Sequence, residues 1–421
     1  MDFEKAFDTV EHAALWETLR KQHVPDQYVK ILATLYEHQT AYVHTDTESK
    51  EFPVNRGVGQ GDPISALLFI AVMEELFREL KTKWFSANSR RTGHGFGLPI
   101  EHAKDPLTNL RFADDVLLFA QSKSDVIKMI SHLARTAGKY GLRLNYAKIK
   151  ILDIHGISIN DETVRIDEND VEVLGPLRND KYLGRKICFG IYHKTEVKNR
   201  IAAGWGAFMK YKTELCSKHC SLRLKAKLFE AVVTPCVMYG CAAWTLTDGL
   251  EKRLRVTRRH MLRMMFASRR RIVDSHTATN PDGEDSASEE EIEAPPDVCS
   301  DAEDELEPWP EFIQRVTHHV EELLERTCME DWVVLHRRRK WQFLHRTATV
   351  EDDRWSKRLL AWQPFGVRAV GRPCTRWSDC IEQIAGGGWL TQAEDAELWP
   401  LSVEAYSYRA GMCETFGRKQ R

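Results

Sequence analysis

Leu107-Thr108-Asn109-Leu110-Arg111-Phe112-Ala113-Asp114-Asp115-Val116-Leu117-Leu118-Phe119-Ala120 is the stretch on which the reading of the fold turns. Two short apolar runs, 107–112 and 116–120, flank Ala113-Asp114-Asp115. Apolar runs of that length bounded by turn formers read as strands, and Asp favours turns, so the stretch predicts a β-hairpin with carboxylates at its tip. Downstream, 123–140 is patterned as a helix and 143–154 as a turn and strand. Upstream, 65–84 reads as a long helix with Pro63 suited to its start. Residues 90–99 carry glycines at alternate positions and suggest a loop or hairpin, 40–44 alternate like a strand, and 11–37 form two helices divided by Pro25. Helices interleaved with short strands argue for an α+β fold, an antiparallel sheet faced by helices.

Composition sets the outer limits. The chain has 421 residues, 43% of them hydrophobic and 29% charged, enough for two or three globular domains. No apolar run reaches the roughly 18 residues of a membrane span. Asp2, Glu4 and Asp8 stand where a secretory leader would be basic and then apolar, so the nucleus or cytoplasm is expected. Ten cysteines without a secreted-type framework fit free thiols. Cys216, His219 and Cys220 are too loosely spaced from Cys236 and Cys241 for a structural zinc site, and buried thiols are the favoured reading. The net charge of −2 hides an asymmetry: residues 281–307 hold thirteen acids and no Lys or Arg. Without them the 60 basic residues face 49 acids, a net +11 that suits phosphate binding.

A second acidic segment precedes the hairpin by more than a hundred residues: Met1-Asp2-Phe3-Glu4-Lys5-Ala6-Phe7-Asp8. Between the two lies Arg56-Gly57-Val58-Gly59-Gln60-Gly61-Asp62-Pro63-Ile64-Ser65. Carboxylates from distant strands, separated by a flexible polar loop, are what two-metal nucleotidyl transfer requires. In order and spacing these segments resemble motifs A, B and C of a reverse transcriptase of the non-LTR, LINE-type retrotransposon kind. The resemblance implies that Asp2 and Asp114 bridge two Mg²⁺ ions, with Mn²⁺ as substitute, and that Asp115 supports the primer-side ion. Clustered carboxylates repel, so without metal at least one pKa should rise. Phe3, Phe7, Gln60 and Gly61 are implied as nucleotide-binding residues. Phe7 stands where the family places a ring that rejects a ribose 2′-hydroxyl; from the residues alone it reads equally as a core side chain. Asp62 reads as a helix N-cap and Ser65 as part of the helix start.

The resemblance continues at Gly141-Leu142-Arg143-Leu144-Asn145-Tyr146-Ala147-Lys148, similar to motif D, although Ile149 replaces the usual Thr. Lys148 is implied as a charge partner or a proton donor to pyrophosphate. Tyr182-Leu183-Gly184 is similar to motif E, the primer grip. RNA template, DNA primer and deoxynucleotide triphosphates follow as implied partners, with no membrane. The signature covers 1–187 as a palm; 188–273 is read as a helical thumb-like region, 274–308 as an acidic disordered linker and 309–421 as a helical C-terminal domain. Lys252, Arg253, Arg255, Arg258, Arg259, Arg263, Arg269, Arg270 and Arg271 crowd successive helical turns, and Arg255, Arg258, Arg259 and Arg263 are read as nucleic-acid-binding. Arg337-Arg338-Arg339-Lys340 beside Trp341 suggests a further stacking or import segment. Trp309, Trp332, Trp341, Trp355, Trp362 and Trp377 supply core or stacking surface. Because the family carries fingers upstream of motif A, the chain is read as N-terminally truncated. A non-catalytic nucleic-acid-binding remnant or co-opted fragment is the alternative, and a group II intron maturase-like enzyme a less favoured third.

Overall fold

The computed structural model describes residues 1–44, 48–86, 95–101, 103–154, 162–266, 306–362, 376–395 and 397, 399, 403 and 407. Most of the acidic run, all of 90–94 and Arg269–271 therefore lie outside the described residues. The chain divides into two compact units, one of residues 1–195 with 346–374, the other of 196–345 with 375–421.

In the first unit, α1 (Ala6–Thr9), α2 (His12–Lys21) and α3 (Asp26–Glu37) lead into a two-stranded pair, β1 (Thr40–Ala41) and β2 (Phe52–Pro53). Pro25 fixes the break between α2 and α3 by standing at the N-cap of α3. Next comes α4 (Pro63–Trp84), whose start is set by Asp62: its carboxylate accepts from the Ile64 amide at 3.1 Å and Pro63 occupies the first turn. Leu68, Phe69, Val72, Met73, Leu76, Phe77 and Leu80 recur every three to four residues along α4 and are buried. They pack with Leu15 of α2 and with Met129 and Leu133 of α5 (Lys123–Gly138) in one hydrophobic core. Each such side chain contributes on the order of 1.5–3 kcal/mol, which makes α4 the spine of this unit.

The predicted hairpin is present as β3 (Asn109–Phe112) and β4 (Asp115–Leu118), with Phe112 opposite Asp115. Its two-residue turn is Ala113-Asp114, and Ala113 takes the left-handed conformation (φ 52°), at a cost of about 1–2 kcal/mol for a residue with a Cβ. Arg111 ties the hairpin to α4, donating to the Met73 carbonyl (2.9 Å) and the Glu74 carboxylate (2.7 Å) and lying over the Phe77 ring. A three-stranded sheet follows in the order β5 (Lys150–Leu152), β7 (Asn169–Leu174), β6 (Glu162–Ile166), then the hairpin β8 (Asp180–Tyr182) and β9 (Arg185–Ile187). The α+β class holds, but the β5–β7 pair is parallel, where an all-antiparallel arrangement was expected.

The second unit is helical. It contains α6 (Tyr192–Lys210, from residue 196 on), α7 (Lys212–Leu215), α8 (Leu222–Val237), α9 (Asp248–Phe266), α10 (Trp309–Thr327) and α11 (Trp332–Ala348, up to 345). Past the short α12 (Trp355–Ala361), which belongs with the first unit, it resumes with α13 (Asp379–Ala385) and α14 (Trp389–Glu394). Phe229 and Val233 of α8, Leu254 and Met261 of α9, Val316 and Val320 of α10 and Trp332 of α11 share one core. Trp332 also donates its indole N–H to Thr234 at 3.0 Å. Trp332 and Trp341 are buried, as a core role requires, whereas Trp309 is exposed.

Candidate active site

Residues 1–4 form the frame of the site. Met1 and Val116 exchange backbone hydrogen bonds at 3.0 and 3.1 Å, the Asn145 amide donates to the Asp2 carbonyl at 3.0 Å, and the Glu4 amide donates to Arg143 at 2.9 Å. The segment is thus an extended rung between β4 and residues 143–145, with Phe3 opposite Leu144. Side chains alternate along such a rung and opposite residues share a face. Phe3, Leu144 and Val116 therefore point into the core, where all three are buried. The other face receives Asp2 and, next to it, Asp115, with Asp114 at the adjoining turn. The Phe3 ring lies in this core, and the residue also lines the groove that adjoins the site.

Lys148 closes the cluster. It ends a single turn of 3-10 helix, Tyr146–Lys148, that begins just after the Asn145 pairing, and its ammonium lies 2.5 Å from Asp2 Oδ2. The bond to Asp2 holds Lys148 above the ordinary lysine pKa, and the charges of Asp114 and Asp115 add to that. Burial pushes the Asp115 carboxyl up, and repulsion from Asp114 and Asp2 pushes it further. The expected rise of one carboxyl pKa thus falls on Asp115. Three hard carboxylate donors, whose mutual repulsion Lys148 and the N-terminal ammonium relieve only in part, suit a divalent cation in kind and charge. Among the described residues no three acidic, His or Cys groups close around a single point; Lys148 is the cation that holds Asp2 instead.

The glycine loop docks on the end of the first segment. Gly57 donates to the Val10 carbonyl and Val58 to Phe7, at 2.8 and 2.6 Å. Gly57 has φ +90°, and a Cβ there would lie 2.7 Å from the Asp8 carbonyl, so only glycine permits this approach. Gln60 reaches back to Asp8 at 3.0 Å, and His12 meets the Gly57 carbonyl at 2.8 Å. Gly61, also at φ +90°, is exposed. Ser65 is buried at the foot of α4 beside the Tyr36 hydroxyl. Phe7 stacks on Phe69 with ring centroids 4.7 Å apart and stays half-buried. Asp8 and His12, which brace the loop, escaped the sequence reading. Their one signal was position, since both follow Asp2 within the turn and helix that the loop must pass.

Tyr182-Leu183-Gly184 forms the tip of the β8–β9 hairpin, Leu183 and Gly184 both having positive φ as a tight two-residue turn demands. Burial raises the Tyr182 phenol pKa, with a contribution from the negative charge of Asp115, which places this hairpin within electrostatic reach of the carboxylates. An open groove of about 670 Å³ adjoins the site, lined by Lys5, Arg56, Arg143 and Lys148 together with Glu4 and Glu11.

The cations read along α9 are sorted differently. Arg258 is buried at 5% exposure, donates to the Met329 carbonyl at 3.0 Å and is held among Asp331, Glu230 and Glu330. Arg255 lies against Asp331 (3.7 Å) and Glu251 (3.9 Å). Arg258 is turned inward, because the same helical spacing that lines up cations also turns one in three or four of them towards the core, and Arg255 is half-buried. Lys252, Arg253 and Arg259 are exposed and Arg263 is half-buried. The run on α11 is likewise internal: Arg337 bonds Glu251, Arg338 bonds Glu330, Arg339 bonds the Met238 carbonyl and Lys340 is buried. No helix among the described residues is long and apolar enough to cross a membrane.

An acidic strand is thus paired to an acidic hairpin, with a glycine loop and a lysine beside them. Residues 1–187 match the family described as reverse transcriptase (RNA-dependent DNA polymerase). The chain is 26% identical over 310 residues to a putative transposon-derived protein of Caenorhabditis elegans, covering 70% of this chain and 94% of that one. It is 32% identical over 158 residues to the Pol polyprotein of the type-2 retrotransposable element R2DM of Drosophila melanogaster, 37% of this chain and 14% of the polyprotein. The Pol polyprotein of a type-1 retrotransposable element R2 of Nasonia vitripennis is 28% identical over 210 residues, 48% and 19% of the two chains. Residues 1–187 are a reverse-transcriptase domain similar to those of non-LTR, LINE-type retrotransposons. The chain spans less than a fifth of these two polyproteins.

Proposed function

We propose that this chain carries out RNA-directed DNA synthesis as part of retrotransposon replication. The observation that supports it most is the pairing of residues 1–4 between β4 and residues 143–145, which gathers Asp2, Asp114, Asp115 and Lys148 on one face. Divalent ions held by Asp2, Asp114 and Asp115 would neutralise phosphate charge and make the primer hydroxyl a better nucleophile. The remaining work falls to the chain's own groups. Lys148, kept protonated by Asp2, offers a cation and a proton beside the carboxylates. Lys5, Arg56 and Arg143 line the adjoining groove with charge that suits a triphosphate. Phe7, stacked on Phe69 and half-buried, would disfavour a 2′-hydroxyl. Gln60, braced by Asp8, and the exposed Gly61 offer a surface to the nascent pair. Tyr182 and its hairpin, within electrostatic reach of Asp115, would hold the primer end.

The test is primer extension on an RNA template with Mg²⁺ or Mn²⁺. The wild-type chain should extend a DNA primer with deoxynucleotides, and Asp2→Ala and Asp115→Ala should reduce extension by about two orders of magnitude or more. Extension that survives both substitutions, or its absence in wild type together with Mg²⁺-indifferent, salt-dependent RNA binding, would replace this reading with that of a non-catalytic binder.

A further inference from the structure

Lys340 is 2% exposed, far from the usual environment of a lysine. Its ammonium donates to the Trp377 carbonyl at 2.7 Å and the Trp244 carbonyl at 3.4 Å, and lies 4.8 Å from the centre of the Trp377 ring. Its remaining close polar contact is Cys380 Sγ at 2.9 Å. Sulfur is a weak acceptor, so a buried cation is matched here with a poor partner where a carboxylate would serve better. The neighbouring carboxylate, Asp379, acts on Lys340 through charge, and one of its oxygens accepts from the Arg376 amide. Burial draws the Lys340 pKa down, against the opposing pull of Cys380 and Asp379. Cys380 is half-buried, and its thiol also donates to the Trp377 carbonyl at 3.5 Å.

We propose that Lys340 and Cys380 form a peroxide-responsive modification site, at which oxidation links the two side chains through an N–O–S bridge. One peroxide oxidises the Cys380 thiol to a sulfenic acid and leaves as water. A second peroxide takes the sulfenic O–H hydrogen and one amine hydrogen, leaves as two waters, and the nitrogen–oxygen bond forms. Sulfur is oxidised in the first step and nitrogen in the second, and each peroxide accepts two electrons. The bridge fastens α11 to α13, both within the second unit. Reduction by a dithiol returns thiol and amine.

The experiment treats the full chain with dilute hydrogen peroxide, digests it without reductant and maps the peptides by mass. The expected product joins the Lys340 and Cys380 peptides with one oxygen gained and two hydrogens lost, and dithiothreitol abolishes it. Cys328, exposed on the surface, reports that the oxidant acted and should give no such link. Cys380→Ser should remove the joined peptide. Because the wild-type measurement stands alone, a misfolded variant does not blur the result. Recovery of Cys380 unoxidised, as a sulfinic acid or as a disulfide, with Lys340 a free amine throughout, overturns the proposal.

Discussion

The two units each gather a dense knot of charge, and they treat it in opposite ways. On the first, Asp2, Asp114 and Asp115 adjoin with Lys148 as their cation, and Asp115 is left with its carboxyl pKa raised by burial and by its neighbours. On the second, Arg258 sits among Glu230, Glu330 and Asp331, while Arg337 makes two bonds to Glu251 at 2.9 and 3.0 Å. The second knot is buried and mixed in sign, with burial pushing the Glu230 carboxyl pKa up and the Arg258 guanidinium pKa down; the first is acidic and open. Charge held open against repulsion costs stability, and it persists where a ligand completes it. Charge closed on itself does structural work, whatever its sign pattern suggests in the sequence.

Removing a member of each knot should show the contrast. The largest effect is expected for Arg258→Ala, which leaves Glu230, Glu330 and Asp331 facing a void where their cation was. Breaking a buried ionic group in this way costs about 3–5 kcal/mol, read as a lowered denaturant midpoint. The next residue along α9, Arg259, is exposed, and Arg259→Ala should stay within about 0.5 kcal/mol of wild type. Equal losses from the two substitutions would erase the distinction between inward and outward cations.

Asp115→Asn should behave in the opposite sense. A carboxyl whose folded pKa is raised above the ordinary 3.8 binds its proton more tightly folded than unfolded. Its contribution to stability is therefore greatest below that ordinary value and is lost as pH climbs through the folded pKa. Melting curves from about pH 3 to pH 8 in chelator should show the wild-type chain losing this contribution and Asp115→Asn keeping a flatter profile. With a divalent ion added the order reverses. Ligand at ten times its dissociation constant stabilises by about 1.4 kcal/mol, and the variant should gain less than the wild type. A wild-type chain whose melting ignores Mg²⁺ and Mn²⁺ would break the comparison at its first member.

How much of this was legible depended on what the residues advertise. Gly57, Gly61, Asp62 and Pro63 are residues with few uses, and the loop and helix start they announce are where the sequence places them. The hairpin at Asp114 was readable from two apolar runs and a turn former, though Ala113, not an aspartate, takes the left-handed position. The β6–β7 hairpin was missed because its turn is Asp167-Glu168, both at positive φ without a glycine to signal it. That the Phe3 ring turns into the core was not read, because neighbours in sequence take opposite faces of a strand. Arg258 could not be told from Arg259 without knowing where Glu230 and Met329 come to lie, and those contacts span 28 and 71 residues.

The smallest effects belong to the exposed cations that remain on α9. Lys252, Arg253 and Arg259 are the residues of that helix free of the internal arrangement that holds Arg255 and Arg258. If this face meets a nucleic-acid backbone, each alanine substitution should lower the slope of log affinity against log salt by about one and weaken binding evenly across sequences, with no change in melting temperature. Arg258→Ala should instead lower affinity only as far as it unfolds the unit, with the salt slope of the folded fraction unchanged. A salt slope that tracks Arg258 and ignores the exposed three would mean that the buried knot opens on binding, and that the closed character of the second unit is a property of the unbound chain alone.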